Sequence, residues 1–186
     1  MKITTKNLVN ALFILLLGVI LFTPVGFYMK VQVNRLLAFS PSTLDTDHVL
    51  QMRSYDWYLV DTEGNRTNFK EVKGKIVLVS FWATWCPPCV AEMPSFQKLY
   101  NKYGEEVKFV FLANDKKEKV NQFLDKKGYT IPVYYSGSET PEVLEHGSIP
   151  TTYIIDKNGK IVVKEVGAAD WASEKVFALL DQLIKQ

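Results

Sequence analysis

Ile76-Val77-Leu78-Val79-Ser80-Phe81-Trp82-Ala83-Thr84-Trp85-Cys86-Pro87-Pro88-Cys89 is the stretch that decides how this chain folds. Its first seven residues are apolar but for Ser80, the mark of a strand buried on both faces in the middle of a sheet. Its last four form a C-x-x-C that opens a helix. Pro87 suits the first helical position, where its missing N–H is no loss and its φ is preset. Cys89, Met93, Phe96, Leu99, Tyr100 and Tyr103 then recur at helical spacing, so the helix should run from Pro87 to about Tyr103. A sulfur at that junction lies beside unsatisfied backbone N–H groups and the positive end of the helix dipole, which stabilise a thiolate. Thiols so placed titrate at about 3.5–7.5 instead of about 8.5. Pro88 removes a further donor, so fewer N–H groups remain near the sulfur. The expected roles follow: Cys86 is the exposed nucleophile, and Cys89, one turn in, is the shielded resolving cysteine.

Working outward, strands and helices alternate. Trp57–Val60 reads as a strand closed by the polar turn Thr62-Glu63-Gly64-Asn65. Val107–Ala113 is the next buried strand. Lys116–Lys127 is a helix with Val120, Phe123 and Leu124 inward and lysines on a solvated face. Ile131–Tyr135 and Thr151–Ile155 are short strands. Asp156-Lys157-Asn158-Gly159-Lys160 is hairpin turn chemistry leading into Ile161–Val166. Val176, Phe177, Leu180, Leu183 and Ile184 mark a last amphipathic helix. The order β-α-β-α-β, a β-hairpin and a helix implies an α/β domain: a parallel portion feeding an antiparallel edge, covered by helices.

The formal net charge of +2 over 186 residues hides two unlike parts. The first forty residues hold Lys2, Lys6, Lys30 and Arg35 and no acid, a balance of +4. After Ser40, 18 basic residues face all 20 acidic ones, a balance of −2 without a basic stripe, so nucleic acid is not an expected partner. From Leu8 to Met29 no residue is charged, and a run of about 20 apolar residues matches the roughly 30 Å bilayer core. A removed signal peptide competes with a retained anchor. The run is long for a signal peptide and ends in Gly26-Phe27-Tyr28-Met29-Lys30, without a small-x-small cleavage site, which favours the anchor. The positive-inside rule leans towards a cytoplasmic N-terminus and a body outside. Residues 1–30 are thus read as anchor, 31–47 as a linker centred on Ser40-Pro41-Ser42-Thr43, and 48–186 as the folded domain.

The two cysteines allow at most one internal disulfide, so a cysteine-stapled mini-fold is excluded. Cys86, Cys89, His48 and His146 add up to four zinc ligands, but these histidines stand singly and far apart, unlike the spaced pairs of structural zinc sites. They read as ordinary surface residues. A purely structural bridge is also disfavoured, because so short a loop removes little unfolded-state entropy.

Phe81-Trp82-Ala83-Thr84-Trp85-Cys86-Pro87-Pro88-Cys89, with Glu92, Pro94, Ile149-Pro150-Thr151 and Gly167, resembles the thioredoxin superfamily. More narrowly it resembles the membrane-anchored TlpA/ResA-like thiol–disulfide oxidoreductases of bacteria. The resemblance covers about residues 50–185. It implies a thioredoxin-like fold, with a central mixed sheet flanked by helices, an N-terminal β extension and one transmembrane helix before it. It implies that Pro150 is a cis-proline beside the sulfurs and that Pro94 kinks the active-site helix. Glu92 sits on the helix face of Cys89 and Met93; there the carboxyl is desolvated and its pKa raised, as proton exchange with the cysteines requires. General thioredoxins place an aspartate six residues before the first cysteine, where this chain has Ser80.

The catalytic set is therefore read as Cys86, Cys89 and Glu92, and the surface that meets substrate as Trp85, Pro87, Pro88, Ile149 and Pro150. Trp82 either shapes that surface or packs in the core. No metal or organic cofactor is expected beyond the Cys86–Cys89 disulfide itself. The implied partners are disulfide-bonded proteins, such as apocytochrome c with its haem-site cysteines, and a membrane thiol donor of electrons. The implied form is a monomer, single-pass in the inner (cytoplasmic) membrane with its domain in the periplasm or otherwise outside the cytoplasm. The redox direction stays open, since C-x-x-C proteins span roughly −270 to −120 mV. A peroxiredoxin-like peroxidase and a non-catalytic binding module are the alternatives.

Overall fold

The computed structural model describes residues 5–44 and 50–186. Its centre is β4 (Ile76–Trp82), buried at every residue. It lies between β5 (Val107–Ala113), paired parallel, and β7 (Thr151–Ile155), paired antiparallel. Adding β1 (Leu50–Gln51), β2 (Tyr58–Asp61), β3 (Arg66–Asn68), β6 (Val133–Ser136) and β8 (Lys160–Val166) gives one eight-stranded mixed sheet, in the order β1-β8-β7-β4-β5-β6-β2-β3. The alternation of a pleated strand divides the core. Ile76, Leu78 and Trp82 of β4 pack with α3 (Pro87–Tyr103), α4 (Lys117–Lys127) and α5 (Glu174–Lys185). Val77, Val79 and Phe81 face the other way, onto Trp57, Phe69, Val72 and Leu144. The N-terminal β2–β3 hairpin and the 3₁₀ turn Phe69–Val72 are the cover that lets β4 be apolar on both faces.

The expected bounds of β4, α3, β5 and β7 hold to the residue. Trp57 instead precedes its strand; it is fully buried, and its indole N–H donates to Ser136 Oγ at 2.9 Å. β3 was not anticipated, because Arg66-Thr67-Asn68 is a polar edge that carries no apolar alternation.

The N-terminal part is more ordered than a plain anchor and linker. α1 (Thr5–Phe22) has 18 residues, none buried, and is about 27 Å long at 1.5 Å per residue. It ends at Thr23-Pro24, and α2 (Pro24–Leu36) begins with Pro24 in its first turn. The two helices approach so closely that a Cβ on Gly26 would collide with the carbonyl of Ile20. The boundary read at residue 30 thus falls inside α2. Val31 packs on Val90 and Ala91 of α3, with Phe27 and Phe123 around them. Beyond α2, Phe39 and Thr43 make isolated bridges to Ala169 and Val163. Most of the described part of the 31–47 segment is therefore docked on the domain. Residues 45–47, and His48 with them, lie outside the described residues.

Candidate active site

β4 delivers the chain to the site, and α3 starts there with Cys86 as its N-cap and Pro87 and Pro88 in its first turn. Cys86 and Cys89 are joined as a disulfide. The Cys89 N–H points at Cys86 Sγ, 3.3 Å away, and is the backbone donor aimed at that sulfur in the described residues. On the other side the carbonyl oxygen of Ile149 lies 3.8 Å from Cys86 Sγ. The Ile149–Pro150 bond that follows is cis. Cys89 is fully buried as expected, but Cys86 is only 4% exposed. Its bond to Cys89 and the Ile149 carbonyl cover a sulfur that was expected to be exposed.

The tryptophans divide. Trp82 is core, fully buried and tilted against Phe123. Trp85 is 56% exposed beside the disulfide, its indole N–H donating to the Asn114 carbonyl at 3.3 Å. Thr84 Oγ1 donates to the Asp115 carboxylate. The loop after β5 thus holds the residues just before Cys86, a role the sequence did not signal. Ser80 is fully buried and accepts a hydrogen bond from Thr152 Oγ1 at 2.9 Å, so the position before the motif carries a neutral pair.

Glu92 lies one turn after Cys89 and is 1% exposed. Its Oε1 accepts hydrogen bonds from the Ala169 N–H at 3.0 Å and from the Trp171 indole N–H at 2.7 Å. Its Oε2 is buried with no partner. Burial, partly offset by those two donors, pushes the carboxyl from its ordinary 4.5 up to about 8. Ala169 and Trp171 belong to the same buried cluster as Cys86 and Cys89, and Trp171 stacks on Phe96 of α3 at 5.2 Å. Trp171 is the neighbour of the candidate site that no sequence signal marks; it lies 79 positions from Glu92, in the loop between β8 and α5. Pro94 sits inside α3 without ending it, and Ser95 Oγ donates to the Glu92 carbonyl at 2.7 Å.

His146 does not join the cysteines. It is half-buried and stacks on Phe81 with ring centroids 3.8 Å apart. The sequence suggests an ordinary surface residue; its partial burial instead holds the imidazole below the usual pKa.

The redoxin family model matches residues 38–180 of this chain. The thiol-disulfide oxidoreductase ResA of Bacillus cereus is 37% identical over 115 residues, covering 60% of this chain and 66% of that protein, just under two thirds of its length. ResA of Halalkalibacterium halodurans is 34% identical over 136 residues, covering 72% of this chain and 76% of that one. Among solved structures, a Bacteroides vulgatus protein described as a thiol-disulfide oxidoreductase superposes with a TM-score of 0.58 at 28% identity, over 75% of this chain and 99% of that chain. A DsbF homologue from Corynebacterium diphtheriae has a TM-score of 0.62 at 19% identity, over 77% and 93% of the two chains, a likeness of fold. A mixed sheet with C-x-x-C at a helix start, a cis-proline beside it and these relatives agree: the chain belongs to the redoxin family, on a thioredoxin-like fold and alongside the ResA thiol–disulfide oxidoreductases.

Proposed function

We propose that this chain is a thiol–disulfide oxidoreductase, tethered by α1 to the cytoplasmic membrane with its domain outside the cytoplasm, where it reduces disulfides of other proteins. The observation that carries the reading is the Cys86–Cys89 disulfide at the start of α3, with a buried carboxyl one turn further on. In the reducing direction, the Cys86 thiolate attacks one sulfur of a substrate disulfide and expels the other as a thiolate. Cys89 then gives its proton to Glu92 and attacks Cys86 Sγ, which breaks the mixed disulfide and releases the second substrate thiolate. Two electrons pass to the substrate, and the chain is left as its internal disulfide. A thiol donor in the membrane restores the dithiol by the reverse steps. The sulfurs and one carboxyl suffice, with no metal or organic cofactor. Trp85, Pro87, Pro88, the Ile149 carbonyl and Pro150 form the surface against which a peptide strand would lie. Apocytochrome c, with its haem-site cysteine pair, is the substrate class the family resemblance favours.

The test is trapping with Cys89→Ala in membranes of the source cell. Cys86 should then accumulate mixed disulfides that a Cys86→Ser/Cys89→Ala double variant does not form. If the single variant captures no partner, a non-catalytic binding module is the better reading. A reduction potential near −120 mV would overturn the reducing direction. Peroxide consumption dependent on Cys86 would move the chain to the peroxidases.

A further inference from the structure

α2 carries apolar residues on two faces. One face, with Phe27 and Val31, packs on Val90, Ala91 and Phe123 of the domain. The opposite stripe, Val25, Met29, Val33 and Leu36, recurs at helical spacing and is about half exposed or more at every position. A helix lying on a water-soluble domain should be polar on its outer face. A contiguous exposed apolar patch of this kind marks a surface that meets something other than water. Two observations on the same side say what. The stripe continues the chain's own candidate span, since α2 follows α1 directly at Pro24. Basic residues also border it: Lys119, Lys126 and Lys127 of α4 line one hollow with Phe27 and Tyr28, and Lys127 Nζ lies 5.8 Å over the Tyr28 ring. Tyr28 also lines the apolar hollow of Val25, Met29 and Val33, so lysine rim and apolar stripe are continuous.

We propose that the outer face of α2 and the lysines of α4 together form a membrane seat: the apolar stripe lies at the headgroup–acyl boundary of the bilayer that α1 crosses, and the lysines bind its anionic phospholipid headgroups. An amphipathic helix with apolar bulk on one side and lysines at its border is built for that interface. The seat has a functional consequence. Thr84 and Val90, on either side of the cysteine pair, line the same hollow as Phe27 and Tyr28. The dithiol is thereby held near the membrane surface at a fixed orientation and does not swing on a free tether.

This inference rests on the tethered reading, and one experiment separates the two. The full chain is placed in nanodiscs of phosphatidylglycerol or of phosphatidylcholine, and amide hydrogen exchange is followed. In phosphatidylglycerol, exchange across residues 117–127 should slow at least fivefold relative to phosphatidylcholine, since each lysine near such a surface contributes about fivefold in occupancy. Lys119→Gln/Lys126→Gln/Lys127→Gln should abolish the difference; all three side chains are exposed, and unchanged circular dichroism will show the variant folded. A chain that elutes free of the discs overturns the tether, and the seat with it. A chain that inserts but exchanges alike across α4 in both lipids overturns the seat alone. Protection in phosphatidylglycerol that survives the triple substitution also overturns it.

Discussion

Replacing Glu92 by Gln should remove most of the pH dependence of this protein's stability between mildly acid and mildly alkaline conditions. The folded protein holds the Glu92 proton up to about pH 8, because the carboxyl is buried with one oxygen unpartnered, whereas the unfolded chain releases it near 4.5. Between those values the native state binds a proton that the unfolded state does not, so stability must fall as pH rises. The contribution is fully present below about 4.5, declines by about 1.4 kcal/mol per pH unit, and is gone above about 8. Over the interval the loss comes to roughly 5 kcal/mol, a large share of the 5–15 kcal/mol that holds most domains together.

Gln keeps an oxygen that accepts from Ala169 and Trp171 but cannot ionise. The assay is urea unfolding of the oxidised chain in detergent from pH 5 to 9, followed by the fluorescence of the buried Trp57, Trp82 and Trp171. Taking the difference between wild type and variant at each pH cancels every other titrating group. Relative to the variant, the wild type should lose about 4–5 kcal/mol across that range. Difference curves flat to within about 1 kcal/mol would mean that Glu92 ionises near its ordinary pH, and the proton-exchange role would fall with it.

Trp171→Phe keeps the stacking on Phe96 but deletes the indole N–H that faces Glu92 Oε1; the carboxyl pKa should rise beyond about 8, and stability at neutral pH should drop by roughly 1–3 kcal/mol in the same unfolding assay. For His146, burial and then the nearby Lys164 charge hold the imidazole below 6.5, so the unfolded chain protonates first as pH falls. Stability present above about 6.5 should therefore be lost towards the lower, folded-state pKa, and His146→Gln should remove that loss in thermal melts between pH 4 and 7. Pro88→Ala restores an N–H in the first turn of α3, where Cys89 supplies the donor now aimed at Cys86 Sγ. One added hydrogen bond to a thiolate, worth about 1.5–3 kcal/mol, should make the pair about 30–60 mV more oxidising in a glutathione titration. An unchanged potential would show that the proline does not control the thiolate.

The parts that were legible in the sequence are those whose signal is local. β4 and α3 follow from an uninterrupted apolar run and a 3.6-residue repeat, and their bounds were readable to the residue. Glu92 was readable because its distance from Cys89 is a matter of helix geometry alone. What surrounds it was not. Ala169 and Trp171 reach its carboxyl from a loop 77 and 79 positions away, and no spacing rule connects a loop tryptophan to a helix glutamate. The cover on Cys86 comes likewise from Ile149, through a backbone atom that every residue type possesses. α2 was hidden for a different reason. Its apolar residues merge with those of α1, and only the docking of Phe27 and Val31 on the domain separates a second helix from the tail of the span.

The buried carboxyl gives the proposed exchange a direction for its proton as well as for its electrons. In the oxidised state seen here Cys89 has no proton to give, and Glu92, with a pKa of about 8, holds one at neutral pH. In the proposed cycle that is the state just after Cys89 has resolved a mixed disulfide, with the proton that left the thiol on the carboxyl one turn away. When a donor thiolate next opens the Cys86–Cys89 bond in the proposed cycle, the sulfur set free inside the protein is Cys89, which is fully buried. An isolated thiolate there would be strongly disfavoured. A proton waiting on Glu92 removes that obstacle, and its departure leaves a carboxylate that two N–H donors already face. Trp171 and Ala169 stabilise the ionised form of Glu92, which the proposed exchange needs while Cys89 is a thiol, and burial stabilises the protonated form, which it needs while Cys89 is in the disulfide. The two effects oppose each other, and with burial the larger the carboxyl is pushed up to about 8, a range suited to the proposed proton exchange.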